Sequence, residues 1–111
     1  MSKTNHVRLV GHLGQKPNVM STDNGVSVST VSLATHDIYK DKQGQKVENT
    51  TWHNIVAFGS IADLLGKYLK KGAHVMVLGR LVTKQYTDRN GVDKYVTEVI
   101  CEDILFLDKK P

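Results

Sequence analysis

Residues Thr50 to Leu81, TTWHNIVAFGSIADLLGKYLKKGAHVMVLGRL, change hydrophobic period twice, and that change decides the fold. From Thr50 to Phe58 the pattern alternates as a strand does, so Trp52, Asn54, Val56 and Phe58 share one face and His53, Ile55 and Ala57 the other. From Ser60 the spacing becomes helical. Ile61, Leu64, Leu65, Tyr68 and Leu69 recur every three or four residues, with Ser60 as the expected N-cap and Asp63 three residues on. Lys70, Lys71 and Gly72 supply a basic last turn and a stop, while Gly66 inside the segment lowers its helix propensity. After Gly72, AHVMVLGRLVTKQYT reads as a long strand. The strand face of Trp52 and Phe58 poses a question, because polar Asn54 lies between its two rings. Either the rings are buried, or they form a platform.

Working outward, HVRLVGHL is an apolar, β-branched run, and GQKPN follows as a break. GVSVSTVSLAT sets Val26, Val28 and Thr30 against Ser27, Ser29 and Val31, the mark of a half-buried strand. YKDKQGQKVEN is polar and contains Gly44, which predicts a long hairpin loop. Beyond the central stretch, DRNG is a hairpin turn, VDKYVTEVI the returning strand, and ILFL a short closing strand before DKKP. Three strands, one helix and two further strands match the OB-fold, an all-β, five-stranded Greek-key barrel with its helix between strands 3 and 4. Other small barrels and an α+β sheet fit the same order.

The chain has 111 residues, enough for one domain with a modest core. No apolar run approaches the ~20 residues that span a bilayer, and the N-terminus lacks a secretory signal. A single cysteine, Cys101, excludes an intrachain disulfide and offers no metal-ligand spacing. A reducing cytoplasm is the expected location. The net charge of +4 is unevenly spread. Between Lys67 and Lys94 there are seven basic residues against Asp88 and Asp93, a local excess of +5. Such an excess suits an anionic partner, although a solvated basic surface would look the same.

No catalytic arrangement is visible. Glu102 and Asp103 are the one adjacent acidic pair in a scattered set, no phosphate-cradling glycine motif occurs, and the five histidines are isolated. The expectation is a protein that is not an enzyme and needs no metal or cofactor. What remains is rings interleaved with cations. Arg80, Val82, Lys84 and Tyr86 fall on one strand face, a poor core and a good strip for a nucleic acid. Tyr39 adjoins Lys40 and Lys42. With Trp52 and Phe58 this makes four rings, on which unpaired bases could stack at roughly 1–3 kcal/mol each while cations follow the phosphates. Tyr68 and Tyr95 read as structural, one on the helix's apolar face and one in the returning strand.

The segments NHVRLVGHLGQKP, VSLATHDIYKDK, Thr50–Leu81 and YTDRNGVDKYVTEVI, in order from Asn5 to Ile100, resemble the bacterial single-stranded DNA-binding protein family, SSB. The most specific elements are W-H-x-x-x-x-F-G at Trp52 to Gly59, the YLKKG helix end, and T-D-x-x-G-x-x-x-Y at Thr87 to Tyr95. The resemblance implies an OB-fold homotetramer that binds and wraps single-stranded DNA without sequence preference in replication, recombination and repair, in the cytoplasm at the nucleoid. It places base stacking on Trp52, Phe58, Tyr86 and Tyr39, so that the rings are a platform. Phosphate contacts are expected from Lys40, Lys42, Lys70, Lys71, Arg80, Lys84 and Arg89. It also implies that the first strand pairs with its twin, with His6, Arg8, Val10 and His53 at a subunit interface. Tyr39 and Tyr86 stand where the family often has Trp, and Asn54, Ser60 and Val82 where relatives often have a cation; Arg8 and Lys16 are extra cations. The DNA-binding domain is expected over 1–108. Residues 109–111 would be a short tail without the family's acidic tip, which puts tip-mediated recruitment of replication and repair proteins in doubt. The alternative function is a tailless adaptor in a primosome or replication-restart complex.

Overall fold

Three turns of one chemical pattern lay out the sheet in the computed structural model, which describes residues 4–108. Thr22 to Val26 (TDNGV), Asp41 to Gln45 (DKQGQ) and Asp88 to Val92 (DRNGV) each place glycine fourth, at φ of 79°, 80° and 77°. That left-handed geometry suits glycine best among common residues, since it has no Cβ to clash. In each turn the first residue's N–H donates to the fifth residue's carbonyl at 2.8 to 3.0 Å. The first side chain then ties down the loop. Asp41 Oδ1 accepts from the N–H groups of Gln43 and Gln45, and Asp88 Oδ1 from those of Asn90 and Val92, each at 2.9 Å.

The described residues form six strands, β1 (Val7–Leu13), β2 (Asn18–Ser21), β3 (Ser27–Lys40), β4 (Lys46–Phe58), β5 (His74–Thr87) and β6 (Asp93–Phe106), with one helix, α1 (Ser60–Tyr68), after β4. The three turns join β2 to β3, β3 to β4 and β5 to β6. The strand order is β1-β5-β6-β4-β3-β2, and β1 also pairs with β3. That last pairing closes β1, β5, β6, β4 and β3 into a five-stranded barrel, with β2 outside it on β3. The OB-fold expectation holds, with the helix between the third and fourth barrel strands. At the closure a side chain on Gly11 would run into the carbonyl oxygen of Ala34, so only glycine lets β1 and β3 approach there.

Three local expectations are corrected. The long loop expected over 39–49 is instead the far end of a β3–β4 ladder running to Lys40↔Lys46 around the five-residue turn. The break expected at GQKPN leads directly into β2, a strand the sequence pattern does not predict, which pairs with β3 from Asn18↔Thr30 to Ser21↔Ser27. The closing strand at ILFL is not separate. β6 continues to Phe106 through a bulge at Glu102, where Leu78 pairs with Asp103 but Gly79 with Cys101.

The barrel interior follows the strand alternation. Leu33, Ile55, Val75 and Val77 are at most 1% exposed, and Leu65 caps them from α1. Each such side chain stabilises the fold by about 1.5–3 kcal/mol. The helix packs through Ala62, Leu65 and Leu69 rather than through all of its apolar residues. Its N-cap is Gly59, with no side-chain cap, so Ser60 is already in the first turn. Gly66 has a packing reason: an added Cβ would meet Val19 of β2. Residues 109–111, the expected tail, lie outside the described residues. Among the described residues, no helix is long and apolar enough to cross a membrane.

Candidate nucleic-acid interface

Register places the rings. β3 pairs with β4 through Ala34↔Trp52 and Val28↔Phe58, β4 with β6 through Val56↔Ile100, and β6 with β5 through Lys94↔Tyr86. Alternation then carries one outward face across all four strands. Trp52, Asn54 and Phe58 lie on it beside Val96 and Glu98 and, one strand further, Arg80, Val82, Lys84 and Tyr86. Trp52 is 59% exposed, Phe58 45% and Tyr86 50%, whereas inward-facing Ile55 and Ala57 are 1% and 0%. Val56 shares the outward parity but is buried where β4 meets β6. Tyr39 is also half exposed, yet its pairing with Val47 puts it on the opposite face of the β3–β4 hairpin from Trp52. Its hydroxyl accepts from Asn49 Nδ2 at 3.4 Å.

Between Trp52 and Phe58 lies a groove of about 240 Å³, lined by Gln15, Thr30, Ser32, Asn54, Val56 and Glu98 among others. Hydroxyl, amide and carboxylate groups therefore separate the two rings. The sequence could not show this mixture of apolar platforms and polar floor across strands, because it depends on register.

The cations divide into two classes. Lys84 Nζ lies 3.3 Å from Glu98 Oε1, and Arg80 Nε lies 3.6 Å from Glu102 Oε1. Both acids sit diagonally across the β5–β6 ladder, within reach of long side chains. The strip read as two cations and a ring thus contains its own carboxylates. Lys40, Lys42, Lys70, Lys71 and Arg89 are exposed and, among the described residues, have no acid at ion-pair distance. Lys42 and Arg89 ride on the two hairpin turns, while Lys70 and Lys71 follow α1. Asp88, in the second turn, is held below the usual carboxylate range by the N–H of Val92, with Asn90 and Lys94 adding to the effect. That keeps the Asp88 side chain ionised as the turn's acceptor.

The rings set aside as structural are exposed. Tyr68 is 57% and Tyr95 70% exposed. Tyr68 meets Phe106 at 6.4 Å between ring centroids and has Lys67 Nζ 5.3 Å from its own centroid. Helical spacing alone could not tell Tyr68 from Leu65, one face from its neighbour. Tyr95 lies opposite Gln85, on the face turned away from Tyr86.

The expected interface residues also come partly together. Arg8, Val10 and His53 line one groove of about 400 Å³, with Leu9, Thr35 and Asp37. His53 Nε2 is 2.9 Å from Thr35 Oγ1. Exposed His6 precedes β1 and is not part of this lining. Among the described residues no group of three or more His, Cys, Asp or Glu could hold a metal.

Comparison with known proteins gives one answer. The model of the Single-strand binding protein family matches residues 4–107. The Single-stranded DNA-binding protein 1 of Xylella fastidiosa (strain 9a5c) is 40% identical over 111 residues, covering 99% of this chain and 82% of that protein. Its namesake in Chlorobaculum tepidum is 45% identical over 107 residues, covering 96% and 66%. Among solved structures, the Plasmodium falciparum SSB in complex with ssDNA superposes with a TM-score of 0.90 at 35% identity, covering 97% of this chain and 98% of that one. A deletion mutant of the Thermus aquaticus single-stranded DNA binding protein gives 0.83 at 31% identity, over 94% and 50%. The chain belongs to the Single-strand binding protein family.

Proposed function

We propose that this protein binds single-stranded DNA without sequence preference and holds it by base stacking and phosphate contacts, without catalysing a reaction. The observation that carries the reading is the outward exposure of Trp52, Phe58 and Tyr86 on one continuous sheet face. Three large rings on a solvent face cost the fold burial they could have had, which makes sense when a flat ligand covers them. Unpaired bases offer such surfaces, and a duplex hides them. Tyr39 adds a fourth ring at the β3–β4 hairpin end. Lys40, Lys42, Lys70, Lys71 and Arg89 meet phosphates directly, whereas Arg80 and Lys84 do so by leaving their carboxylate partners. Proteins similar in sequence and structure, including one solved with ssDNA, support the same reading. Residues 1–108 serve as the DNA-binding domain, acting in replication, recombination and repair at the nucleoid in the cytoplasm.

The working unit in this reading is a homotetramer. β1 meets β3 only at His12 and Leu13, which leaves the edge from Val7 to Gly11 open to pair with a second copy. The groove holding Arg8, Val10 and His53 runs along that edge. On the outward side of β1, β5 and β6, exposed Val10 and Leu105 flank half-buried Met76, an apolar strip suited to burial between subunits. The test is titration of a fluorescently labelled dT oligonucleotide by anisotropy, beside a matched duplex and a matched RNA, with the mass of the free protein measured in solution. Preferential binding to the unpaired DNA by a tetramer is expected. Equal affinity for the duplex would overturn the stacking mechanism, and a monomeric mass would overturn the assembly.

A further inference from the structure

The indole of Trp52 rests on a residue with no side chain. A Cβ built on Gly14 would lie 2.5 Å from Trp52 Cζ3 and 3.0 Å from Cη2, well inside van der Waals contact, and 2.9 Å from Ser32 Oγ. Gly14 itself is not free to retreat. Its N–H donates to the Ser32 carbonyl at 2.9 Å, its neighbour Leu13 donates to the Ala73 carbonyl at 3.0 Å, and Ser32 Oγ donates to Gln15 Oε1 at 3.3 Å. Leu13 is in the core at 3% exposure. The segment after β1 is thus fixed at both sides of Gly14, and an added methyl group would have to displace the ring. Nothing in the backbone requires glycine here, since Gly14 is not among the residues at positive φ. Its lack of a side chain has a use only in the space it leaves.

We infer that Gly14 is a positioning residue for base stacking: its bare Cα lets the six-membered edge of the Trp52 indole lie down across the end of β1, leaving the remainder of the ring presented to a base. The inference rests on the stacking role proposed for Trp52 and deepens it. A ring lifted or tilted at that edge offers less flat surface, so affinity falls through Trp52 and not through the charge of the site. Gln15, which lines the groove beside the ring, is carried by the same fixed segment.

The test has two readouts. Trp52 is the one tryptophan in the chain, so its emission reports on the ring without DNA. Gly14→Ala is expected to shift the emission maximum and change acrylamide quenching while the far-ultraviolet dichroism stays native. Affinity for a dT oligonucleotide should fall about three- to tenfold, part of the loss expected from removing a whole stack. The second variant is Trp52→Phe, whose smaller ring lacks Cζ3 and Cη2. In that background Gly14→Ala should cost little or nothing, a coupling that independent sites do not show. An unchanged emission spectrum and quenching in Gly14→Ala would overturn the seat, as would an equal affinity loss in both backgrounds. If Trp52→Ala leaves affinity intact, the stacking role fails instead, and the emission of Gly14→Ala still decides whether the seat exists.

Discussion

Glu98→Gln should tighten binding to single strands. Glu98 lines the groove between Trp52 and Phe58, its side chain is 19% exposed, and it faces Lys84 Nζ at 3.3 Å. When Lys84 turns to a phosphate, the carboxylate loses its partner and stands near an added negative charge. Two like charges about 6 Å apart repel by roughly 0.7 kcal/mol in water and about 3 kcal/mol at an effective dielectric of 20. Screening at physiological salt removes about half of this, since the Debye length is about 8 Å. A relief of about 0.35–1.4 kcal/mol follows, a roughly two- to tenfold gain in affinity. Glutamine keeps the shape of the groove, and the Lys84 end of the ion pair is 54% exposed, so losing the pair should cost the fold only about 0–1 kcal/mol and melting should hardly move. Anisotropy titrations of a dT oligonucleotide at low and moderate salt would compare Glu98→Gln with the unsubstituted protein. Weaker or unchanged binding by Glu98→Gln, with the fold intact, would refute the view that this carboxylate competes with phosphate for Lys84.

Other substitutions separate site from scaffold. Trp52→Ala should weaken single-strand binding by about 1–3 kcal/mol but cost the fold less than about 2 kcal/mol, because some three-fifths of the residue is already exposed. Leu65→Ala, at 1% exposure, should show the reverse, a stability loss of about 2–5 kcal/mol by urea melting. Burial pushes the Cys101 thiol from 9.0 up to about 11, a backbone hydrogen bond of Asp103 working against this and the Asp103 and Glu102 charges adding to it. The folded state therefore prefers the neutral thiol, which stabilises it fully below pH 9 and progressively less as pH rises to 11, on the order of 2–3 kcal/mol. Cys101→Ala should flatten that alkaline decline in melting temperature, and a decline of equal slope would contradict the assignment. Ser29 is fully buried with no hydrogen-bond partner for its hydroxyl among the described residues, so Ser29→Ala should raise stability by about 1 kcal/mol in denaturant titration.

The central strand was legible because its alternation is strict. Period two alone set Trp52 and Phe58 apart from Ile55 and Ala57, and the exposures follow that division. Other parts left no such trace. β2 is four exposed residues whose extended form depends on β3 and on Val19 lying against Gly66, both distant in sequence. The outer half of the β3–β4 hairpin is polar and mostly exposed on both faces, so only the ladder and the Asp41 turn reveal it as strand. Tyr68 was misplaced because a stripe of five apolar positions is wider than the one α1 buries. The pairing of Arg80 and Lys84 with Glu102 and Glu98 needed the β5–β6 register, which a bulge at Glu102 then shifts. Sequence thus located the rings and cations, whereas register determined which cations are free.

The most direct measurement is the emission of Trp52 itself as a dT oligonucleotide is added. With a single indole in the chain and 59% of it open to solvent, direct stacking predicts strong quenching that saturates with binding and reverses at high salt. An emission that stays constant while anisotropy reports a bound oligonucleotide would mean that DNA passes elsewhere on the molecule.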